Sequence, residues 1–186
     1  MDPATYVQTR RELKATVLQE ELHFQLSTDA AYERGKVDFS FYAGLLLREV
    51  YETAFPPFYI SLFQLLSEDD PDPYKLLRFA LGLPRGFVKT TFCKVMVCWL
   101  IHYGYNDFVL VICATDGLAQ AFTNDLDEML SDPAVEQIYG NWSANKDSDN
   151  SKQKIGYIGG RRIVLIPRGA QASVRGINIH HKRPNL

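Results

Sequence analysis

Three things are scarce in this 186-residue chain, and each scarcity closes off a class of protein. No apolar run approaches the roughly 18 residues that span a bilayer, and Met1-Asp2-Pro3-Ala4-Thr5 lacks the charged-then-apolar layout of an export signal, so a soluble intracellular protein is expected. Cysteine is limited to Cys93, Cys98 and Cys113, an odd number inside apolar runs without CxxC spacing. They read as buried reduced thiols, which leaves metal and disulfide roles unsupported. The third scarcity is of acid at one end: residues 151–186 hold Lys152, Lys154, Arg161, Arg162, Arg168, Arg175, Lys182 and Arg183 and no carboxylate side chain. The other 12 basic and all 22 acidic residues lie in the first 150. Two readings stay open, an edge that faces nucleic acid or phosphate, or a chain whose compensating carboxylates lie beyond Leu186. What is present, 46% hydrophobic and 23% charged residues, is globular composition at one-domain length, with no internal repeat.

The chain is organised around residues 76–103. Leu76, Leu77, Phe79, Ala80, Leu81 and Leu83 form a short apolar run that suits a strand buried on both faces. Pro84-Arg85-Gly86-Phe87-Val88-Lys89-Thr90-Thr91 interrupts it, and residues 90–103 run without Pro or Gly to a helix stop at Gly104. Strand, Lys-Thr-Thr, then helix is a phosphate-binding layout, because backbone N–H groups and the positive helix terminus meet the anion. Lys89 would reach terminal phosphates, Thr90 would set its hydroxyl on Mg²⁺, and Thr91 adds a second hydroxyl. Against GxxxxGK[ST], the two glycine positions fall on Leu83 and Val88, and Gly86 alone supplies a permissive residue within the loop. A β-branched residue at φ > 0 would cost roughly 1–3 kcal/mol, so either the loop bends differently or Val88 sits at φ < 0. The competing reading is an ordinary strand-to-helix turn with an incidental Lys-Thr-Thr.

Upstream, residues 9–32 have helical spacing of Leu13, Val17 and Phe24, a break is expected at 35–40, and further helices at 41–55 and 58–66. Residues 67–73 read as an acidic, Pro-containing loop. Downstream, residues 108–114 form a second apolar strand, expected to pair in parallel with the first through the helical crossover. Thr115-Asp116 offers an N-cap to an amphipathic helix over 118–131, and residues 141–154 read as a polar surface loop. Residues 155–158, Gly159-Gly160 and 161–166 carry a hairpin signal, and Arg161-Arg162 reads as its exposed face. His180-His181 reads as a solvated turn.

Taken together, Leu83-Pro84-Arg85-Gly86-Phe87-Val88-Lys89-Thr90-Thr91, Val111-Ile112-Cys113-Ala114-Thr115 with Ala119, Asp132-Pro133, Tyr139-Gly140, Ser173-Val174-Arg175-Gly176 and Arg183-Pro184-Asn185-Leu186 resemble the ATPase domain of tailed-phage large terminase subunits, the DNA-packaging motors. The resemblance covers residues 56–186. It implies an α/β, three-layer P-loop NTPase fold, RecA-like with an additional strand, a mostly parallel central sheet with core strands 76–83, 108–114 and 161–166, and a helical extension over 1–55. It also implies ATP and Mg²⁺ as ligands, with Lys89 as the Walker A lysine, Thr90 as the metal residue and Arg85 as the γ-phosphate sensor. Arg175 would be the arginine given to a neighbouring subunit's nucleotide, where a guanidinium can neutralise phosphoryl charge in the transition state. Arg85 paired with an acidic neighbour and Arg175 as a plain surface residue are the competing readings. Pro84, Gly86, Phe87, Val88 and Thr91 would complete the loop, Thr115 would be a coupling or DNA-side element, and Tyr59 and Gln64 fall where the adenine is contacted.

The implied function is the nucleotide-binding part of the ATP-driven motor that moves viral double-stranded DNA into the procapsid. Its implied setting is the host-cell cytoplasm, as a homo-oligomeric ring on the portal with a small terminase subunit and no membrane. Family members place the Walker B carboxylates just past Arg-Pro-Asx-Leu, and the nuclease domain further on. The expectation is therefore a fragment or split product that binds ATP but hydrolyses it poorly alone. A helicase-like P-loop ATPase and a non-catalytic capsid or portal assembly protein are the alternatives.

Overall fold

Asp38 divides the first described segment into two helices. The computed structural model describes residues 28–47, 55–67, 80, 82 and 84–171. Helix α1 (Thr28–Val37) ends just before Asp38, whose carboxylate accepts from the Phe41 N–H at 3.0 Å and caps α2 (Phe39–Leu46). The break expected at 35–40 falls at Asp38, while Gly35 lies within α1, where a Cβ would press on the hydroxyls of Tyr139 and Tyr103. Glycine there lets α1 close onto two tyrosines. Most of the helix expected at 9–32, and residues 48–54 of the second, lie outside the described residues; the third stands as α3 (Pro57–Ser67).

Helix α4 (Lys89–His102), strand β1 (Phe108–Cys113) and helix α5 (Asp116–Leu130) follow the local patterns closely. Thr115 caps α5, its hydroxyl accepting from the Leu118 N–H at 3.3 Å. Helix α6 (Pro133–Tyr139) comes next, with the Asp132 carboxylate accepting from the N–H groups of Ala134 and Val135 at 2.8 and 3.2 Å, and Pro133 opening the first turn. A 3-10 turn (Ser143–Asn145) then leads to β2 (Lys146–Asn150), β3 (Gln153–Ile158) and β4 (Arg161–Gly169). The polar stretch read as a surface loop is thus partly an edge strand. The Gly-Gly hairpin is present, with φ of 56° at Gly159 and 77° at Gly160.

The sheet corrects the expected fold. Its order is β1-β4-β3-β2, and the β2/β3 and β3/β4 pairs are antiparallel. Among the described strands only β1 and β4 run parallel, with Phe108 opposite Val164 and Cys113 opposite Gly169. This is a mixed, mostly antiparallel sheet and not the mostly parallel sheet of a three-layer P-loop domain. Among the described residues β1 pairs with β4. The run at 76–83, expected as its partner, lies mostly outside the described residues, and its two described members, Ala80 and Gly82, are exposed and belong to no strand. A hairpin fixes β3 on β4 locally, whereas apolar β1 can be paired only by tertiary contacts.

Among the described residues the helices share one apolar cluster with a single face of the sheet, through Val109, Val111, Ile158, Ile163 and Leu165. The opposite face carries Phe108, Ile155, Val164 and Ile166, joined by Leu110 and no helical residue. Asp127 of α5 ties the edge hairpin down: its carboxylate accepts from the Trp142 indole at 2.7 Å and from Lys154 at 3.2 Å, and Lys146 lies 2.8 Å away. The Arg161 guanidinium is half-buried and not merely displayed. It donates to Asp107 at 2.7 Å and to the Ile101 carbonyl at 2.5 Å, which closes the end of α4. Of the cysteines, Cys98 is buried, with burial pushing its thiol pKa up, but Cys93 is exposed, contrary to the sequence expectation.

Candidate functional site

Arg161 and Lys94 orient α4 on the sheet. Arg161, at the start of β4, holds the last carbonyls of α4, so this helix ends at the N-terminal end of the parallel β1/β4 pair. Lys94, in the second turn of α4, pairs with Asp125 midway along α5, and His102 at its end stacks on Tyr139 of α6 at 4.2 Å. Helices α4 and α5 therefore run side by side in the same direction. Helix α5 starts directly beyond the C-terminal end of β1, and Lys94 ties the N-terminal half of α4 to it.

Residues 84–88 form an exposed turn into α4: Pro84, Arg85, Gly86, Phe87, Val88 and Thr90 are exposed, and Lys89 and Thr91 are half-buried. Gly86 takes φ 86°. Val88 takes φ 46° and ψ 29°, the left-handed region, and is the one non-glycine residue with positive φ among those described. The alternative of Val88 at φ < 0 is thereby overturned. A valine occupies the backbone state that a glycine would enter freely, at a cost of about 1–3 kcal/mol. A left-handed residue followed at once by helical ones makes successive N–H groups converge into a concavity that suits an anion. No side-chain hydrogen bond caps α4 at Val88.

Lys89 folds back across this turn, its ammonium donating to the Pro84 carbonyl at 2.7 Å. Tyr59 of α3 lies beneath it. This residue is wholly buried, stacks on Phe92 at 4.4 Å and donates its hydroxyl to the Phe87 carbonyl. Burial raises the phenol pKa above 10.0, with the Cys93 thiol adding to the shift, so the group is a proton donor at neutral pH. Its neighbour Phe58 is partly exposed and approaches Phe87, with ring centroids 6.3 Å apart. Sequence reasoning named Tyr59 for a base contact, but nothing in the sequence could assign its hydroxyl to a carbonyl 28 positions away. Gln64 is exposed on α3, and Arg175 lies outside the described residues.

Phosphate fits what is present: converging N–H groups, one ammonium and hydroxyls at Thr90 and Thr91. For Mg²⁺ the loop offers the Thr90 hydroxyl, and no group of three or more His, Cys, Asp or Glu side chains among the described residues could hold a metal. Asp116 stands just beyond the C-terminal end of β1, exposed, with one carboxylate oxygen accepting from the Gly169 N–H at 2.5 Å. Thr115, read as a coupling element, serves here as the cap of α5. No helix among the described residues is long and apolar enough to cross a membrane. Comparison with protein-family models, with curated proteins and with solved structures finds no match to this chain.

Proposed function

We propose that this chain is the nucleotide-binding part of an ATP-driven motor that packages viral double-stranded DNA, with residues 84–91 holding the phosphates. The observation that carries the reading is the left-handed Val88 directly before Lys89-Thr90-Thr91 at the start of α4. A strained valine stands where a relaxed turn would serve any purely connecting role, and the strained form is the one that would point its amides at an anion. In this reading Lys89 leaves the Pro84 carbonyl for a phosphate oxygen and Arg85 closes over the outermost phosphate. Thr90 supplies the hydroxyl for Mg²⁺, whose chemistry when bound is to neutralise charge on the β- and γ-phosphates. Arg175 acts on the site of a neighbouring copy in a portal-mounted ring, alongside a small terminase subunit in the host cytoplasm. The mixed sheet favours a second reading, a non-catalytic assembly protein of the capsid or portal, because it departs from the sheet on which such motors are built.

The test is titration of a fluorescent ATP analogue with Mg²⁺ into the wild-type chain and Lys89→Ala. Removing the ammonium is expected to weaken binding roughly tenfold to a hundredfold, the 1.5–3 kcal/mol of a charged hydrogen bond. Equal binding by both proteins, or by neither, would move the assembly reading ahead.

A further inference from the structure

The Phe87 carbonyl and the Val88 N–H belong to one peptide unit, which is trans, so the two groups point in opposite directions. Tyr59 donates its hydroxyl to that carbonyl from below, and this turns the Val88 N–H away from α3. Rotating the peptide unit would break the tyrosine hydrogen bond and, by changing φ at residue 88, let the valine leave φ 46° for the ordinary negative region. The same rotation would turn the amide over and destroy the convergence of donors before Lys89. Two opposing features thus meet at one peptide: a β-branched residue that favours the flip and a buried hydroxyl that resists it. Tyr59 is well placed to resist, because its ring is fixed between α3 and α4 by the stack on Phe92, which in turn donates its N–H to the Val88 carbonyl at 2.9 Å.

We infer that Tyr59 is a positioning residue whose hydroxyl holds the 87–88 peptide in the anion-receptive orientation, making the loop a two-state element set by Tyr59 against Val88. The inference rests on the phosphate-binding reading of the same loop, and it gives Tyr59 a role through the backbone. It also explains how a loop without the usual glycine keeps a glycine's conformation: the hydroxyl, and not the residue at 88, selects the state.

The test is a double-mutant cycle of Tyr59→Phe and Val88→Gly, read by titration with inorganic triphosphate and by thermal unfolding. Tyr59→Phe alone is expected to weaken triphosphate binding at least tenfold, while the double variant binds within about threefold of Val88→Gly, because glycine enters φ > 0 without help. An equal loss in both backgrounds, or none in either, would overturn the inference, since a hydroxyl that merely packs α3 knows nothing of residue 88. If no protein binds triphosphate, the phosphate-binding proposal fails, and the melts still decide the peptide question. Tyr59→Phe should then lower Tm less in the valine background than in the glycine one, because the flip releases strain only where strain exists. Equal shifts in the two backgrounds would contradict the inference.

Discussion

Replacing Trp99 with alanine is expected to destabilise the fold by about 3–5 kcal/mol, the range for truncating a buried large aromatic. The indole is 1% exposed on α4. It stacks on Tyr105 at 5.1 Å, meets Phe63 of α3 edge-on at 5.1 Å, and lies 5.2 Å from the Tyr103 ring. Its N–H donates to the Gly35 carbonyl of α1 at 3.2 Å. One side chain therefore joins α1, α3 and α4, and its loss opens a cavity while leaving a buried carbonyl without its donor. Trp99→Phe keeps most of the ring contacts and is expected to cost less. Urea unfolding read by circular dichroism measures both, and a loss below about 1 kcal/mol for the alanine variant would mean that the three helices do not meet at this residue.

Acid should unfold the protein earlier than its carboxylates alone would require, because His102 is buried in the neutral form. Burial, with the Arg161 guanidinium adding to it, pushes the imidazole pKa down to about 3 from 6.5. Its Nδ1 lies 2.7 Å from the Tyr42 hydroxyl of α2, and Tyr139 of α6 stacks on its face, so no carboxylate among these neighbours favours the cation. Tyr139 is itself raised to about 12 by burial first, and burial raises Tyr42 as well, so both neighbours are neutral at any working pH. The folded pKa lies below the unfolded one, so the unfolded chain binds the extra proton. Stability is then full above pH 6.5 and falls as the pH drops from 6.5 toward 3, by about 1.4 kcal/mol per pH unit within that window. Urea titrations at pH 7, 6, 5 and 4 on the wild type and His102→Gln should show a shallower fall for the variant. Parallel slopes would show that His102 is not held neutral by the fold.

Much of the local structure was legible because its signals are local. The Lys-Thr-Thr start and Gly104 stop bound α4, Thr115 begins α5, and Gly159-Gly160 makes the hairpin. The same kind of signal marks α6 through Asp132, Pro133 and Gly140. The order of the sheet and its β2 edge were not legible. Lys146-Asp147-Ser148-Asp149-Asn150 has the polarity of a loop and is an edge strand, where charge is how an edge is kept from pairing further. Partner choice for β1 depends on contacts across more than fifty residues, which no window in the sequence contains. At the candidate site the residue types could be read but the backbone could not. Valine's ordinary preference is for negative φ, and its reversal here depends on Tyr59, a residue the sequence places in another helix.

Backbone amide chemical shifts during titration with Mg²⁺-ATP report whether the amides before and at the start of α4 receive phosphate. The largest shifts are expected on the N–H groups of Val88, Lys89, Thr90 and Thr91, and inorganic triphosphate should reproduce them because the phosphates carry the contact. Shifts centred elsewhere, or none at ATP concentrations in the millimolar range, would contradict phosphate binding here and leave the loop as a connection between α3 and α4.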